Sequence, residues 1–176
     1  FCSTGIPLTT VAEHLEPEKL FRKFLSYRQA IGMEVLDLNS RAIATLSQRA
    51  RSGKLIALVA DRDLSRNGVP VNFFNHPAKM PAGPALLHLQ TGAALVVAHV
   101  WYESPRAGSR LFIKFHPPLT VPHDGASWSN QEKVSFLTQS MADLFAAGIE
   151  EHSSDWHMLQ RIWLDDPNFV GAESAE

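Results

Sequence analysis

Hydrophobic and polar positions along this chain alternate in two periods, one typical of strands and one typical of helices. Short apolar runs predict strands at residues 8–12, 33–38, 54–60, 71–74, 93–102 and 109–115. Apolar residues at spacings of three and four predict helices at residues 17–31, 41–52, 84–91 and 130–150, and a last helix beginning near Ser154. Because the two kinds of element alternate, the pattern favours an α/β fold with a central, mostly parallel mixed sheet flanked by helices.

Charged residues follow the most apolar of these strands directly. Residues 54–60 predict the central buried strand, and Asp61, Arg62 and Asp63 come immediately after it. Enzymes with α/β sheets place their chemistry where buried strands end, so we expect half of an active site here. Residues 61–83 contain no long periodic segment, and a loop of that length in a compact domain is usually functional.

Length and chain ends predict a single domain that lacks part of its fold. The 176 residues, 45% of them hydrophobic, suffice for one ordinary core. We predict one α/β domain over residues 1–165 and a flexible tail at 166–176. The chain opens at Phe1 without a methionine and enters a strand almost at once, so we expect the N-terminal part of the fold to be missing.

The charge is unevenly distributed along the chain. Residues 1–100 hold 11 basic and 7 acidic side chains, whereas residues 101–176 hold 5 and 11. A mildly basic first part suits an anionic ligand or membrane headgroups, but it is too weak to indicate nucleic acid. The single Cys2 excludes an internal disulfide framework, and no apolar run approaches the roughly 20 residues that span a bilayer, so membrane contact would be peripheral.

The sequence Asp61-Arg62-Asp63 allows three interpretations. Charged residues after a strand can simply be solvated. Two carboxylates on alternate residues can also share a divalent cation, as in metal-dependent sugar transferases. In the third interpretation a carboxylate orients a histidine, so that the imidazole deprotonates a hydroxyl and its own positive charge is balanced.

Two further charged residues are candidates for substrate binding. Arg28 lies four residues after Phe24 and three after Leu25, close to the stripe that its helix is expected to bury. A guanidinium there must pair or bind an anion, or extend its head to solvent. Glu13 lies near the end of the first strand, where it is either part of a site's rim or an ordinary exposed acid.

The eight histidines do not supply an obvious base or metal site. None has an acid five residues further on, and no pair shows the spacing of a zinc motif. His99 lies inside an apolar strand and is better explained as a core residue. A G-x-S-x-G nucleophile elbow and a phosphate-binding glycine loop are also absent from the sequence.

Several short motifs together resemble the bacterial lipid A biosynthesis acyltransferase family. The motifs are F-L-S-Y-R-Q-A-I-G at 24–32, A-D-R-D-L at 60–64, N-F-F at 72–74, M-P-A-G-P-A at 80–85, T-G-A-A-L at 91–95 and D-W-H-M-L-Q-R-I-W at 155–163. The likeness runs from about Thr9 to Trp163. It is closest to the actinobacterial branch that acts on phosphatidylinositol mannosides.

The resemblance implies transfer of a fatty acyl group from acyl-CoA to a mannose hydroxyl of a phosphatidylinositol mannoside. The enzyme would lie peripherally on the cytoplasmic face of the plasma membrane and use acyl-CoA as a co-substrate, with no cofactor or metal. The family's general base is the histidine of an H-x₄-D motif, and the paired acid falls on Asp61. Relatives in this branch carry Glu there, so Asp61 is a departure that is shorter by one methylene. Glu13 and Arg28 match positions that line the headgroup pocket, and Arg62 and Asp63 are assigned to substrate binding.

The H-x₄-D motif does not occur in these residues, and in the family it lies shortly upstream of the segment that matches Phe1. A chain without that base is expected to be catalytically inactive. Two other functions therefore remain open. One is a module that binds lipid or acyl-CoA without turnover, and the other is a metal-dependent D-x-D sugar transferase.

Overall fold

A computed structural model describes residues 2–12, 16–37, 41–63, 67–103 and 110–167. Their contacts form two compact units, of which unit 1 comprises Phe1–Val59 and Leu86–Ala93 and unit 2 comprises Ala60–Ala85 and Ala94–Glu176. The single domain predicted over residues 1–165 stays a prediction. The predicted flexible tail at 166–176 falls almost entirely outside the described residues.

Unit 1 contains a parallel three-stranded sheet with helices between its strands. Its elements are β1 (Leu8–Ala12), α1 (Glu18–Ala30), β2 (Met33–Asp37), α2 (Ala42–Arg51) and β3 (Leu55–Ala57). The strand order is β2-β1-β3, and Leu8 pairs with both Met33 and Leu55. Parallel neighbours need a crossover segment, and both helices provide one, which confirms the α/β prediction.

Two expectations for unit 1 were wrong. The run at 54–60 is not a central buried strand, because β3 spans three residues and β1 occupies the middle of the sheet, while Val59 is 85% exposed. Apolar content alone does not determine which strand has two neighbours. Likewise, α1 buries Phe21, whereas Phe24 on the expected buried stripe is 48% exposed.

A hydrogen-bonded triad of Thr9, Glu34 and Arg49 joins β1, β2 and α2 within unit 1. Arg49 contacts the Glu34 carboxylate through Nε at 2.8 Å and Nη2 at 2.6 Å, and the buried Thr9 hydroxyl donates to Glu34 Oε2 at 2.8 Å. The Arg49 hydrogen bond is the main reason that the pKa of Glu34 falls from 4.5 to about 2. Because two-pronged guanidinium–carboxylate pairs fix orientation, the triad sets how α2 lies on the sheet.

Unit 2 consists of two antiparallel hairpins and a long helix. The first hairpin is β4 (Val69–Phe73) with β5 (His76–Met80), the second is β6 (Ala98–Glu103) with β7 (Arg110–Phe115), and the helix is α4 (Asn130–Glu151). The remaining helix, α3 (Gly83–Thr91), has residues in both units. The core cluster of unit 2 comprises Val71, Phe73, Ala78, Met80 and Ala142.

Helix α4 begins with a capping box that the sequence encodes as S-x-x-E. The Ser129 hydroxyl accepts a hydrogen bond from the backbone N–H of Glu132, and the Glu132 carboxylate accepts one from the N–H of Ser129. Further along the helix, the Gln139 amide bonds both the N–H and the C=O of Asn72 at 2.8 Å. This side chain therefore ties α4 to the backbone of β4.

Two elements of unit 2 differ from the sequence prediction. The sequence pattern predicts a loop where the structure has strand β5. Pro77 interrupts the apolar pattern, and proline is tolerated in strands mainly at sheet edges. The last helix is absent from the described residues: a single 3₁₀ turn at Ser153–Asp155 is followed by irregular chain. The apolar spacing of residues 156, 159 and 163 imitates a helix, yet Leu159 is 97% exposed.

His99 packs directly against the backbone of α4. A Cβ atom built on Gly148 would collide with Cε1, Nδ1 and Nε2 of the His99 ring. Only glycine therefore lets the ring approach the helix this closely. His99 Nδ1 is 3.1 Å from Nε2 of His116, and burial together with the neighbouring His116 lowers the pKa of His99. The prediction of a core role fits this half-buried, hydrogen-bonded ring.

Within the described residues, no helix combines the length and apolarity that crossing a bilayer requires.

We predict that Glu34→Gln lowers the free energy of unfolding at pH 7 by roughly 1 kcal/mol, since both side chains remain partly exposed to solvent. The folded pKa of Glu34 lies below its unfolded value, so its contribution is complete above pH 4.5 and disappears as the pH falls toward about 2. Urea unfolding of both proteins at pH 7 and at pH 2.5 measures the difference. Glu18→Gln, which removes the exposed Glu18–Arg22 pair, is the control and should change stability by only a few tenths of a kcal/mol. An equal deficit for Glu34→Gln at both pH values would contradict the prediction.

We also predict that Gly148→Ala destabilises the protein by roughly 1–3 kcal/mol, because the new methyl group displaces the His99 ring. Alanine in a helix interior would otherwise stabilise by about 1 kcal/mol, so the sign of the change is informative. Gly83→Ala is the control, because a Cβ there meets open space at the start of α3. Thermal unfolding of both variants decides the matter, and a stabilised Gly148→Ala would show that the ring does not pack as described.

Candidate functional site

The residues Asp61, Arg62 and Asp63 lie in unit 2, four to six positions after the end of β3, and all three are half-buried. Half-burial of three consecutive charged side chains is costly unless each finds a partner. The simple interpretation, in which the loop is only solvated, therefore does not describe them.

Asp61 is bound by a residue that is distant in sequence. The indole Nε1 of Trp156 donates to Asp61 Oδ2 at 3.0 Å in a partly buried setting. An indole N–H can only donate, so Oδ2 of Asp61 is the acceptor in this hydrogen bond. Among the described residues, this is the hydrogen bond that the structure gives Asp61, and no described histidine contacts its carboxylate.

Arg62 and Asp63 make different contacts. The Arg62 Nη1 donates to Gln160 Oε1, so a second side chain of the 155–163 motif reaches the same loop. Asp63 packs against Gly68, where an added Cβ would run into the carboxylate. Gly68 therefore leaves space that the Asp63 side chain occupies.

The irregular chain at residues 156–165, called here the C-terminal segment, is fixed to the first hairpin. Trp163 Nε1 donates to the Phe73 carbonyl at 3.1 Å, and the N–H of Leu164 donates to the Pro77 carbonyl at 2.8 Å. Trp163 also forms an isolated antiparallel bridge with Ala78 on β5. The segment thus lies along the edge of β5 and pairs with it over a short stretch, as an additional strand would.

Aromatic rings of the hairpin surround Trp156. Its ring centroid lies 5.9 Å from that of Phe73 and 6.1 Å from that of Phe74. Phe74 and Asn75 form the hairpin turn with φ values of 54° and 63°, a left-handed conformation that bulky residues adopt at some cost. The strained turn places the Phe74 ring 4.6 Å from Phe73, beside the indole that binds Asp61.

The other two predicted substrate-binding residues are Glu13 and Arg28. Glu13 lies outside the described residues. Arg28 is half-buried in the last turn of α1, in unit 1, and no hydrogen bond or ion pair to its guanidinium is present among the described residues. Its charge remains available for an anion.

The described residues contain no group of three or more His, Cys, Asp and Glu side chains arranged to hold a metal ion. Asp61 and Asp63 are two carboxylates, and a D-x-D site uses only two together with its substrate. The indole N–H is directed at Oδ2 of Asp61, and a carboxylate can bind a cation through a single oxygen, so this contact does not decide the alternative.

Sequence reasoning missed Trp156 and Gln160 as parts of the site. Both belong to the 155–163 motif, for which the sequence pattern predicts a helix with Trp156, Leu159 and Trp163 on one side. The one signal in the sequence was Trp156 itself. A buried indole N–H requires a hydrogen-bond acceptor, and the neighbouring sequence does not indicate which residue accepts.

Comparison with known proteins covers nearly the whole chain. Residues 2–165 match the model of the family described as bacterial lipid A biosynthesis acyltransferase. A protein of Mycobacterium tuberculosis strain H37Rv named phosphatidylinositol mannoside acyltransferase is 42% identical over 161 residues, which are 90% of this chain and 47% of that protein. A protein of the same name from Mycolicibacterium smegmatis is 42% identical over 163 residues, 91% of this chain and 50% of that protein.

The chain spans about half the length of these curated relatives. The family match nevertheless includes the Asp61 loop, the first hairpin and the C-terminal segment, and it confirms the resemblance carried by the short motifs. The chain belongs to the bacterial lipid A biosynthesis acyltransferase family.

Proposed function

We propose that the natural polypeptide containing this chain transfers a fatty acyl group from acyl-CoA to a mannose hydroxyl of a phosphatidylinositol mannoside. The observation that carries this proposal is the 42% identity, over nine-tenths of the chain, to proteins named phosphatidylinositol mannoside acyltransferase. The half-buried Asp61 carboxylate, fixed by an indole donor, supplies an acid suited to the reaction.

In the proposed mechanism the acyl group passes directly to the sugar without a covalent enzyme intermediate. The histidine of an H-x₄-D motif takes the proton of the mannose hydroxyl, and the oxygen attacks the thioester carbonyl. A C–O bond forms, the C–S bond breaks, and the proton passes to the coenzyme A thiolate. Asp61 orients the imidazole and balances the positive charge that develops on it.

The remaining charged residues would bind the substrates. Arg28, a half-buried cation without a partner among the described residues, suits a phosphate of the headgroup or of coenzyme A. Arg62 and Asp63, which follow Asp61 in the same loop, would contact the substrate. The Arg62 guanidinium is oriented by its hydrogen bond to Gln160. Glu13 is proposed for the headgroup pocket on the resemblance alone.

We propose that the enzyme binds peripherally to the inner face of the plasma membrane, where its lipid substrate resides. Exposed apolar residues follow one side of α1 at helical spacing, at 44% to 66% exposure, and they comprise Leu20, Phe24, Tyr27 and Ile31. Lys19 and Lys23 lie beside this stripe. An exposed apolar stripe next to cations supports contact with an anionic lipid surface.

A module that binds lipid or acyl-CoA without turnover is the second candidate. Peptide mapping of the native polypeptide by mass spectrometry separates the two. An H-x₄-D just before Phe1 would support the enzyme, whereas a native end at Phe1 would leave the binding module.

We predict that Asp61→Ala in the complete natural polypeptide lowers kcat by roughly 10²- to 10⁴-fold, because the base loses its orienting partner. Asp61→Glu should retain most activity, since the resemblance implies that a glutamate serves the same role in this branch of the family. Asp124→Ala, which removes an exposed carboxylate in the 3₁₀ turn His123–Ser127 of unit 2, is the control and should leave kcat unchanged. The rates are measured with acyl-CoA and phosphatidylinositol mannoside. Full activity of Asp61→Ala would refute the assignment of the acid.

We further predict that a metal chelator leaves acyl transfer unaffected, because neither the hydroxyl attack nor the charge balance requires a cation. The same assay is run with and without excess EDTA, followed by Mg²⁺ or Mn²⁺. Loss of activity that either ion restores would instead favour the D-x-D sugar transferase.

A further inference from the structure

We propose that Trp156 is a positioning residue for the reaction: its indole N–H fixes the Asp61 carboxylate in the orientation that pairs with the base. This inference rests on the proposed function and adds a residue to it. The observation behind it is a single contact, the 3.0 Å hydrogen bond from Trp156 Nε1 to Asp61 Oδ2.

The contact leaves the carboxylate with one committed oxygen and one free oxygen. Oδ2 accepts the indole N–H, whereas no hydrogen bond to Oδ1 is present among the described residues. A carboxylate is planar, so fixing one oxygen also fixes the direction of the other. The free oxygen can then accept a hydrogen bond from an imidazole N–H without first losing rotational freedom.

The indole itself has little freedom to move. Phe73 and Phe74 pack against its ring, with an edge-to-face angle of 83° to Phe73. Phe73 is 1% exposed and belongs to the core cluster, so the surface against which the indole packs is rigid. The Trp156 N–H is thereby directed at Asp61 by the core of unit 2.

A second contact from the C-terminal segment restrains the same loop. Gln160 accepts a hydrogen bond from Arg62, the residue after Asp61. Downstream, Trp163 bonds the Phe73 carbonyl at 3.1 Å and anchors the segment to the hairpin. One segment therefore contacts two consecutive residues of the loop, Asp61 and Arg62. If Trp156 only filled space, neither hydrogen bond would be needed.

Trp156→Phe tests the inference, because phenylalanine retains the ring packing and removes the N–H. In the complete natural polypeptide, we expect kcat to fall about tenfold while the KM values for acyl-CoA and lipid change little. In the Asp61→Ala background the same substitution should cause no further loss of kcat, because Trp156 acts only through Asp61.

Trp101→Phe is the matched control. The Trp101 indole also donates to a carboxylate, that of Glu103 at 3.3 Å, and it lies on β6 of the same unit. We expect this variant to keep kcat within about twofold of the parent protein. Thermal unfolding of both variants identifies any loss that comes from folding.

A measurement independent of turnover tests the contact itself. In protein labelled with ¹⁵N at tryptophan, Asp61→Asn should shift the indole resonance of Trp156 and leave that of Trp101 in place. An unmoved Trp156 resonance would overturn the inference. So would an unchanged kcat for Trp156→Phe, or an equal loss of kcat with and without the Asp61 carboxylate.

The failures of the two proposals are distinguishable. If Asp61→Ala remains fully active, the acid assignment of the proposed function fails, whatever Trp156 does. If Asp61→Ala is inactive but Trp156→Phe matches Trp101→Phe in kcat, the acid stands and only the positioning role is refuted.

Discussion

A half-buried carboxylate must find donors, and unit 2 is arranged around meeting that requirement for Asp61. The donor comes from Trp156, 95 residues further along the chain, so this contact exists only where the C-terminal segment is packed in place. Bringing together two residues so far apart in sequence has an entropic cost, which the packing of the segment on the hairpin must offset. The site is therefore a property of tertiary structure and not of the loop.

The first hairpin supports both partners in this contact. Phe73 points into the core, and its carbonyl accepts the Trp163 indole, while the Phe74 ring packs on Trp156. From the other side, Gln139 of α4 bonds the N–H and C=O of Asn72. The N-F-F motif thus joins the long helix to the C-terminal segment. Each of its three residues makes a different contact. Because the contact of the Phe74 ring with Trp156 depends on the turn, this contact helps to offset the cost of the left-handed conformation at Phe74.

The sequence predicted those elements whose stability is local or periodic. Helix α4 was located to within a residue at each end, because its apolar stripe is long and its first turn is capped by Ser129 and Glu132. Strand β1 was also located as predicted. The failures share one cause: β3, β5 and the segment at 156–165 owe their form to partners elsewhere in the chain. A single-sequence pattern carries no record of those partners, so Leu159 was assigned to a helix face although it lies in solvent.

The choice of aspartate at position 61 also has a physical consequence for the proposed role of its carboxylate. Aspartate has one rotatable bond fewer than glutamate, so holding it in one orientation costs less side-chain entropy. It also reaches less far from the backbone, and the loop must bring the carboxylate to its partner instead. Trp156 bonds the carboxylate of Asp61, and Gln160 bonds the neighbouring Arg62, so two consecutive side chains of the loop contact the same segment. An aspartate at this position therefore depends on where the loop lies, and in this structure the C-terminal segment contacts that loop through Trp156 and Gln160.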